Sequence, residues 1–360
     1  MNHKSVLILI LLVYTGLVSG QQNSQKRSFS RNFNVTKENS FELSNKYGEV
    51  NITMTDFDSL IITADVEAFG TNEERIRKMY EGIEINITEA GSVIEAHTIF
   101  SQGITSLVES FKGMTNKVIP YDSKIEINYH ITAPKWLNMR IENRFGDVKM
   151  QDNTGIISLT VSNGSLTANS LNTVRDMNLS FCEASIKNIN DGNIDASLSG
   201  IEIGESQKLS VNSVSSKLHI KSTGSFETKS KSDKISIDFA KSISGDSFFT
   251  EYKIGSLSGD LNLAPKFGSV NIDMIKKETD LISVNSGSAD ITLKFEPDMS
   301  YEVQIRHTNS NLVLPEKKSK IDRKIIDDDR KEYLTTGFVG SSRGNTRVKI
   351  EANRGNIYLR

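Results

Sequence analysis

The sequence predicts an all-β protein whose short strands stack as a β-solenoid, a single-stranded β-helix-like repeat with short helical insertions. Three observations carry that expectation. First, the pattern Gly, any residue, apolar, polar, apolar recurs as Gly48-E-V-N-I, Gly146-D-V-K-M, Gly164-S-L-T-A, Gly192-N-I-D-A, Gly259-D-L-N-L, Gly268-S-V-N-I, Gly287-S-A-D-I and Gly355-N-I-Y-L, with Gly224-S-F-E-T a degenerate copy. Glycine marks a turn, and the alternation that follows sends one face of a short strand inward. Second, further alternating pairs lie between the glycines, at Leu159/Val161, Leu179/Phe181, Leu209/Val211, Leu218/Ile220, Ile235/Ile237 and Ile282/Val284. Strands of about five residues at spacings of roughly 10–20 leave no room for crossover helices. Third, Asn, Ser and Thr crowd the turns, where their side chains hydrogen-bond the backbone and stack on their equivalents in the next repeat. An antiparallel β-sandwich is the alternative, with N-K-Y-G and N-R-F-G as hairpin turns.

Along the chain, residues 1–20 have a basic start at Lys4, an apolar run from Val6 to Val13 and small residues at Ser19 and Gly20, the pattern of a cleavable secretory signal peptide. The run is too short to span a bilayer, and no later stretch reaches the length of a transmembrane segment. No Cys stands at the expected cleavage site for a lipid anchor. Residues 21–135 read as an N-terminal β region with helical insertions, with strands at Phe41–Leu43, Val50–Met54, Leu60–Val66, Ile83–Ile87 and Lys124–Ile131. Thr71-N-E-E opens a helix over 72–81 as a capping box, with Ile76, Met79 and Tyr80 on one face. Residues 101–119 place Leu107, Phe111 and Met114 at helical spacing, a second insertion or flap. Residues 136–360 read as the β-strand-repeat region, continuous with the one before it. One interruption, 316–332, has mixed charge and reads as a solvated loop or a short surface helix. The last strand, Asn356–Leu359, runs to Arg360 with no sorting tail expected after it.

The 360 residues carry 43 Lys plus Arg against 45 Asp plus Glu, a net charge of −2. That balance offers no basic surface for counterion release, so a nucleic-acid partner is not expected. Cys182 is the only thiol, which forbids an internal disulfide. With Leu179 and Phe181 read as an inward pair, Cys182 is expected to point away from the core or into a corner, inert beside Glu183.

Catalytic candidates are few. His97, His130, His219 and His307 stand in separate strands without metal-ligand or general-base spacing, and no nucleophile elbow, phosphate loop or dinucleotide fingerprint occurs. Asp147, Asp195, Asp260 and Asp290 are the carboxylates a polysaccharide-cleaving site would use. In register, however, Asp147 and Asp260 share their position after Gly with Glu49, Ser165, Asn193, Ser269 and Ser288, which marks them as part of the repeat pattern. Asp327, Asp328 and Asp329 lack calcium-loop spacing. No catalytic residue, metal site or cofactor is therefore assigned.

Three of the glycine copies extend upstream: Asn45-K-Y-G-E-V-N-I, Asn143-R-F-G-D-V-K-M and Pro265-K-F-G-S-V-N-I. With the signal peptide and the closing E-A-N-R-G-N-I-Y-L, these segments resemble a family of bacterial extracytoplasmic β-strand-repeat proteins of unknown function, often labelled adhesins and common in Bacteroidetes-type bacteria. The resemblance implies a β-helix-like fold outside the cytoplasm and carries over no catalytic residue. The function expected is a non-enzymatic, adhesin-like repeat protein, exported to the periplasm, the outer membrane or the cell surface. It would bind glycan, envelope or cell-surface protein partners through an elongated β face. A β-helix polysaccharide lyase or glycoside hydrolase is the alternative. The oligomeric state is left open.

Overall fold

The computed structural model describes residues 23–101, 123–315 and 319–360. The expected signal peptide, all of the 101–119 insertion beyond Ser101, and residues 316–318 lie outside them. The described residues form 24 strands joined in one hydrogen-bonded sheet, with one helix.

The regular part is parallel. Strands β11 (Gly200–Val214), β12 (Lys217–Lys231) and β13 (Lys234–Phe248) pair in parallel at an offset of 17 residues, so Ile201, Leu218 and Ile235 lie side by side. Through β14 (Thr250–Leu257), β16 (Gly268–Ile275) and β18 (Ala289–Phe295) the same column continues with Tyr252, Val270 and Ile291, all buried. Burying each such side chain contributes about 1.5–3 kcal/mol, so a column of aligned inward positions holds the stack together. The backbone stays extended around several turns, and β10 (Asn153–Ser197) alone covers 45 residues.

The alternation read from the sequence is largely as expected. Val50/Ile52, Val148/Met150, Leu261/Leu263, Val270/Ile272, Ile291/Leu293 and Ile357/Leu359 are buried, while Lys149 and Asn271 are exposed and Glu49 and Asp147 half-buried. One pair fails. Leu179 is buried, but Phe181 is 58% exposed. Phe181 adopts φ 50°, and this left-handed turn resets the alternation so that Cys182 takes the inward place. Cys182 thus sits buried at a corner.

The extended motif does not close a hairpin. Strand β2 (Ser40–Lys46), before Tyr47-Gly48, pairs in parallel with β6 (Val93–Phe100) and β8 (Asn138–Arg144). Strand β3 (Val50–Thr55), after it, pairs in parallel with β7 (Ser123–Pro134) and β9 (Val148–Met150). The turn leads from one line of pairing into the next.

Antiparallel strands finish both ends. At one end β1 (Asn23–Asn34) pairs antiparallel with β4 (Ser59–Gly70), β4 with β7, and β5 (Ile83–Ala90) with β6. Helix α1 (Glu73–Glu81) follows β4 and buries Ile76 and Met79. Its N-cap is Asn72, whose side chain accepts from the Arg75 amide at 2.9 Å, so Asn72 and not the expected Thr71 opens the helix. Asn caps at least as well as Thr, and its position one residue later decides the start.

At the other end the expected loop or helix of 316–332 is largely strand. β21 (Ser319–Asp327) pairs antiparallel with β22 (Glu332–Val339), which pairs with β19 (Tyr301–Thr308). β21 is exposed on both faces, which erases the period-2 signal, and its mixed charges suit an edge that must not pair with another chain.

Candidate functional site

The turn that precedes each inward column is the most constrained element of the fold. Tyr47, Phe145, Asn163, Phe181, Leu198, Ser215, Ser232, Phe249 and Phe267 all have positive φ. From Phe145 onward they recur every 17 or 18 residues, at equivalent places in successive repeats. Bulky residues rarely adopt this conformation, so register and packing must enforce it. In the Gly146 copy it is Phe145, not the glycine, that carries the positive φ, at 58°. Gly146 is needed for close approach, because a Cβ there would overlap the carbonyl oxygen of Gly48, and one on Gly164 would overlap that of Gly146.

Two sets of side chains secure this turn. Asn45 donates to the Ile127 carbonyl at 3.0 Å and to Asn143 Oδ1 at 3.1 Å, while Asn143 donates to the carbonyls of Gly48 (2.9 Å) and Asp147 (3.2 Å). Further along, the amide of Cys182 donates to Ser199 Oγ, that of Ser199 to Ser216 Oγ, and that of Ser216 to Asp233 Oδ1 at 2.7 Å. Asp233 is buried, and its other oxygen accepts from Ser213 and Ser230 hydroxyls at 2.7 and 2.6 Å and from the Lys231 amide. These donors replace the water a buried carboxylate loses.

Outward positions after this turn converge on a shallow trough of about 730 Å³ that runs from Glu183 to Lys294. Its lining includes four lysines (Lys217, Lys234, Lys253, Lys294) and four carboxylates (Glu183, Glu202, Glu251, Asp273), with His219, Ser236, Ser269, Asn271 and Thr292 between them. Lys294 and Asp273 form an ion pair at 2.7 Å, Lys234 and Glu251 at 3.6 Å, and His219 Nε2 lies 3.8 Å from Asp238. Ile201, Leu218, Ile235 and Tyr252 also line it, and this mix of apolar surface with balanced charge suits a ligand without strong net charge.

The carboxylates singled out from sequence are dispersed and engaged. Asp147 Oδ1 accepts from the Ser165 amide at 2.8 Å, Asp260 from Leu281 at 2.9 Å, and Asp290 from Asn356 at 2.8 Å, while Asp195 accepts from the Asn212 side chain at 2.9 Å. Each therefore ties one repeat to its neighbour. Between the Glu183 and Asp290 levels lie six parallel pairings of one column, roughly 30 Å at about 4.8 Å per strand, and Asp147 stands beyond Glu183. Paired carboxylates of a glycosidase stand within about 10 Å, so Asp147 and Asp290 form no such pair.

The remaining candidates also separate. His97 lies 3.4 Å from Glu95 and His130 3.7 Å from Asp65, both on the surface. His307 is buried 5.5 Å from the Tyr333 ring, and burial holds its pKa below the usual imidazole range. Burial, then the adjacent Glu183, pushes the Cys182 thiol up to about 11, which leaves it protonated and unreactive at neutral pH. Asp327 accepts from the Arg330 amide at 3.1 Å in the β21–β22 turn. Among the described residues no group of three or more His, Cys, Asp or Glu is placed to hold a metal ion. No helix among them is long and apolar enough to cross a membrane.

Sequence reasoning missed the outward aromatic residues of the turn. Tyr47 and Phe145 stack at 5.4 Å, and Phe248, Phe249 and Phe267 form a cluster with 37%, 55% and 38% exposure. For Tyr47, Phe145 and Phe267 the signal was the cation–aromatic–glycine order of the extended motif, which Phe248 and Phe249 lack. It shows that the ring precedes the glycine, but not that the ring points outward.

No protein-family model matches the chain, and no curated protein matches it. Among solved structures, the chain is similar to a "putative cell adhesion protein" from Clostridium sporogenes at 9% identity, with 93% of this chain and 99% of that one covered and a TM-score of 0.20. A "putative adhesin" from Bacteroides fragilis matches at 12% identity, 93% and 97% coverage and a TM-score of 0.24. A "putative lipid binding protein" from Parabacteroides distasonis matches at 12% identity, 92% and 96% coverage and a TM-score of 0.25. Two of these names agree with the label of the family the motifs resemble. Scores this low superpose no whole chain on another, and no functional conclusion is built on them.

Proposed function

We infer that the protein is a non-enzymatic, adhesin-like repeat protein of the cell envelope or cell surface, in which the parallel 17- and 18-residue registers are coils of a β-solenoid. The signal-like residues 1–20 support export to the periplasm, the outer membrane or the surface. The observation that carries the reading is the continuous trough from Glu183 to Lys294, where charged and polar side chains at equivalent positions of successive coils alternate with apolar surface. A repeated face offers many similar weak contacts to an extended partner, and avidity then substitutes for one deep pocket. Glycan strands and envelope or cell-surface proteins are partners of that chemistry. The coupling of residues 21–135 to 136–360 through the β2–β8 and β3–β9 pairings supports one continuous body.

The test is a glycan panel and an envelope-protein panel applied to the purified protein and to a Lys217→Glu, Lys253→Glu variant. Retention of a partner that is lost in the variant, with unchanged thermal unfolding, is the expected result. Turnover of a glycan that survives repurification would replace this reading by an enzymatic one.

A further inference from the structure

Phe248, Phe249 and Phe267 form one cluster on the outside of the positive-φ turn. Phe249 and Phe267 stack at 4.7 Å with 13° between their planes, and Phe248 meets both edge-on at 4.7 and 5.4 Å. Exposed apolar clusters on a soluble surface mark a contact. This one is also backbone-strained, since Phe249 has φ 54° and Phe267 φ 129°. The fold has a cheaper solution at hand: Ser215 and Ser232 occupy the same turn in the two preceding repeats with φ 53° and 58°. The phenyl rings are thus not required to make the turn.

Two lysines flank the cluster. Lys231 is the register partner of Phe248, and the Lys266 amide bonds to the carbonyl of Ser247, so the position before the turn reads Lys, Phe, Lys in three successive repeats. Both lysines are exposed, and neither forms an ion pair among the described residues. Of the carboxylates on these strands, Asp233 is buried and accepts from the Lys231 amide, Glu251 is paired with Lys234, and exposed Asp246 is the register partner of Lys229.

We propose that Phe248, Phe249 and Phe267, flanked by Lys231 and Lys266, dock the protein on the surface of an anionic lipid bilayer. Three phenyl rings with no polar handle enter the region between headgroup and acyl chain, and the two lysines meet lipid phosphates. A glycan fits less well, because sugars stack on aromatic faces and here the faces are spent within the cluster, leaving edges outward. The cluster adjoins the trough, but none of its residues lines it, and this inference does not rest on the trough.

The experiment is flotation of the exported, purified protein with vesicles of equal parts phosphatidylglycerol and phosphatidylcholine, and with pure phosphatidylcholine vesicles. In the triple variant Phe248→Ser, Phe249→Ser, Phe267→Ser, the replacements at 249 and 267 are the side chain that this turn already carries at Ser215 and Ser232, and exposed Phe248 is replaced with them. Binding to the anionic vesicles about tenfold above that of the triple variant is expected, with a several-fold loss in Lys231→Gln, Lys266→Gln. Equal flotation of wild type and triple variant, or none by either, overturns the proposal. So does a wild-type dimer in analytical ultracentrifugation that the triple variant abolishes without any vesicle binding, which would assign the cluster to a second copy. Retention on a sulfated polysaccharide, lost in the triple variant while vesicles are ignored, would assign it to a glycan.

Discussion

At Gly48, Gly146 and Gly164 the turn has no side chain after its positive-φ residue, and in the first two repeats Asn45 and Asn143, just upstream, bond to nearby carbonyls. At Ser199, Ser216 and Asp233 the same place carries an oxygen that accepts from an amide of the neighbouring repeat. One half of the stack thus satisfies carbonyls from before the turn, the other amides from after it. Either set meets the requirement that buried backbone groups find partners. The steps leading to Ser199, Ser216, Asp233 and Thr250 are each 17 residues long, whereas those leading to Gly164, Cys182 and Gly268 are 18. Cys182 is the boundary between the two designs.

The largest expected effect breaks the glycine design. Gly146→Val drives a side chain into the Gly48 carbonyl, part of the backbone and unable to rotate away, so a loss of more than about 3 kcal/mol is expected by chemical denaturation. A Gly146→Val protein as stable as wild type would show that the glycine column is not a steric requirement. Next, Asp233→Ala strips the acceptor from Ser213, Ser230 and the Ser216 amide, all buried or partly buried. A loss of about 3 kcal/mol is expected, against well under 1 kcal/mol if the hydroxyls rebonded to each other.

Cys182 sharpens the comparison through pH. Its thiol ionises near 11 in the folded chain against an ordinary 9.0, so the folded state holds the proton longer than the unfolded state. The stability from burying the neutral thiol is complete below pH 9 and is lost as pH rises from 9.0 to about 11. Cys182→Ser, which extends the hydroxyl design by one repeat, should lack this alkaline decline. Identical melting curves for both proteins between those pH values would show that the thiol does not titrate on unfolding. The smallest effect belongs to Asp147→Asn. Asn keeps the Oδ1 acceptor for the Ser165 amide, so a change within about 0.5 kcal/mol is expected, unaltered by Ca²⁺.

What the sequence disclosed follows from the range of each interaction. Val50/Ile52 and Leu261/Leu263 were legible because inward alternation is a local property of a strand with one buried face. Phe181 was misread because nothing local announces a left-handed phenylalanine; the neighbouring repeats impose it. What makes Gly146 obligatory was not legible locally either, since its constraint is a carbonyl 98 residues away in sequence, on Gly48. β1 and β21 were missed or misassigned because neither has a continuous buried face, so pairing alone makes them strands. At the candidate site Asn271 fills the polar place of the Gly268-S-V-N-I copy, which the local alternation turns outward. The alignment of such places into a trough depends on a repeat length that the irregular glycine spacing hides.

The pairing order at the C-terminal end has a consequence for how the chain is assembled. Strand β23 (Thr346–Asn353) lies between β17 (Leu281–Ser286) and β19, and β24 (Asn356–Leu359) between β18 and β20 (Asn311–Val313). The sequence separation across these pairings jumps from 17 to 66 and 45 residues. A chain folding from its N-terminal side can add each repeat from β10 to β14 directly to the one before it. Residues 301–313 must instead wait, with one flank open, until the final strands arrive and slot in between. On loop-length scaling, closing a 66-residue separation costs about 1 kcal/mol more entropy than closing a 17-residue repeat, so these pairings are expected to form after the regular repeats.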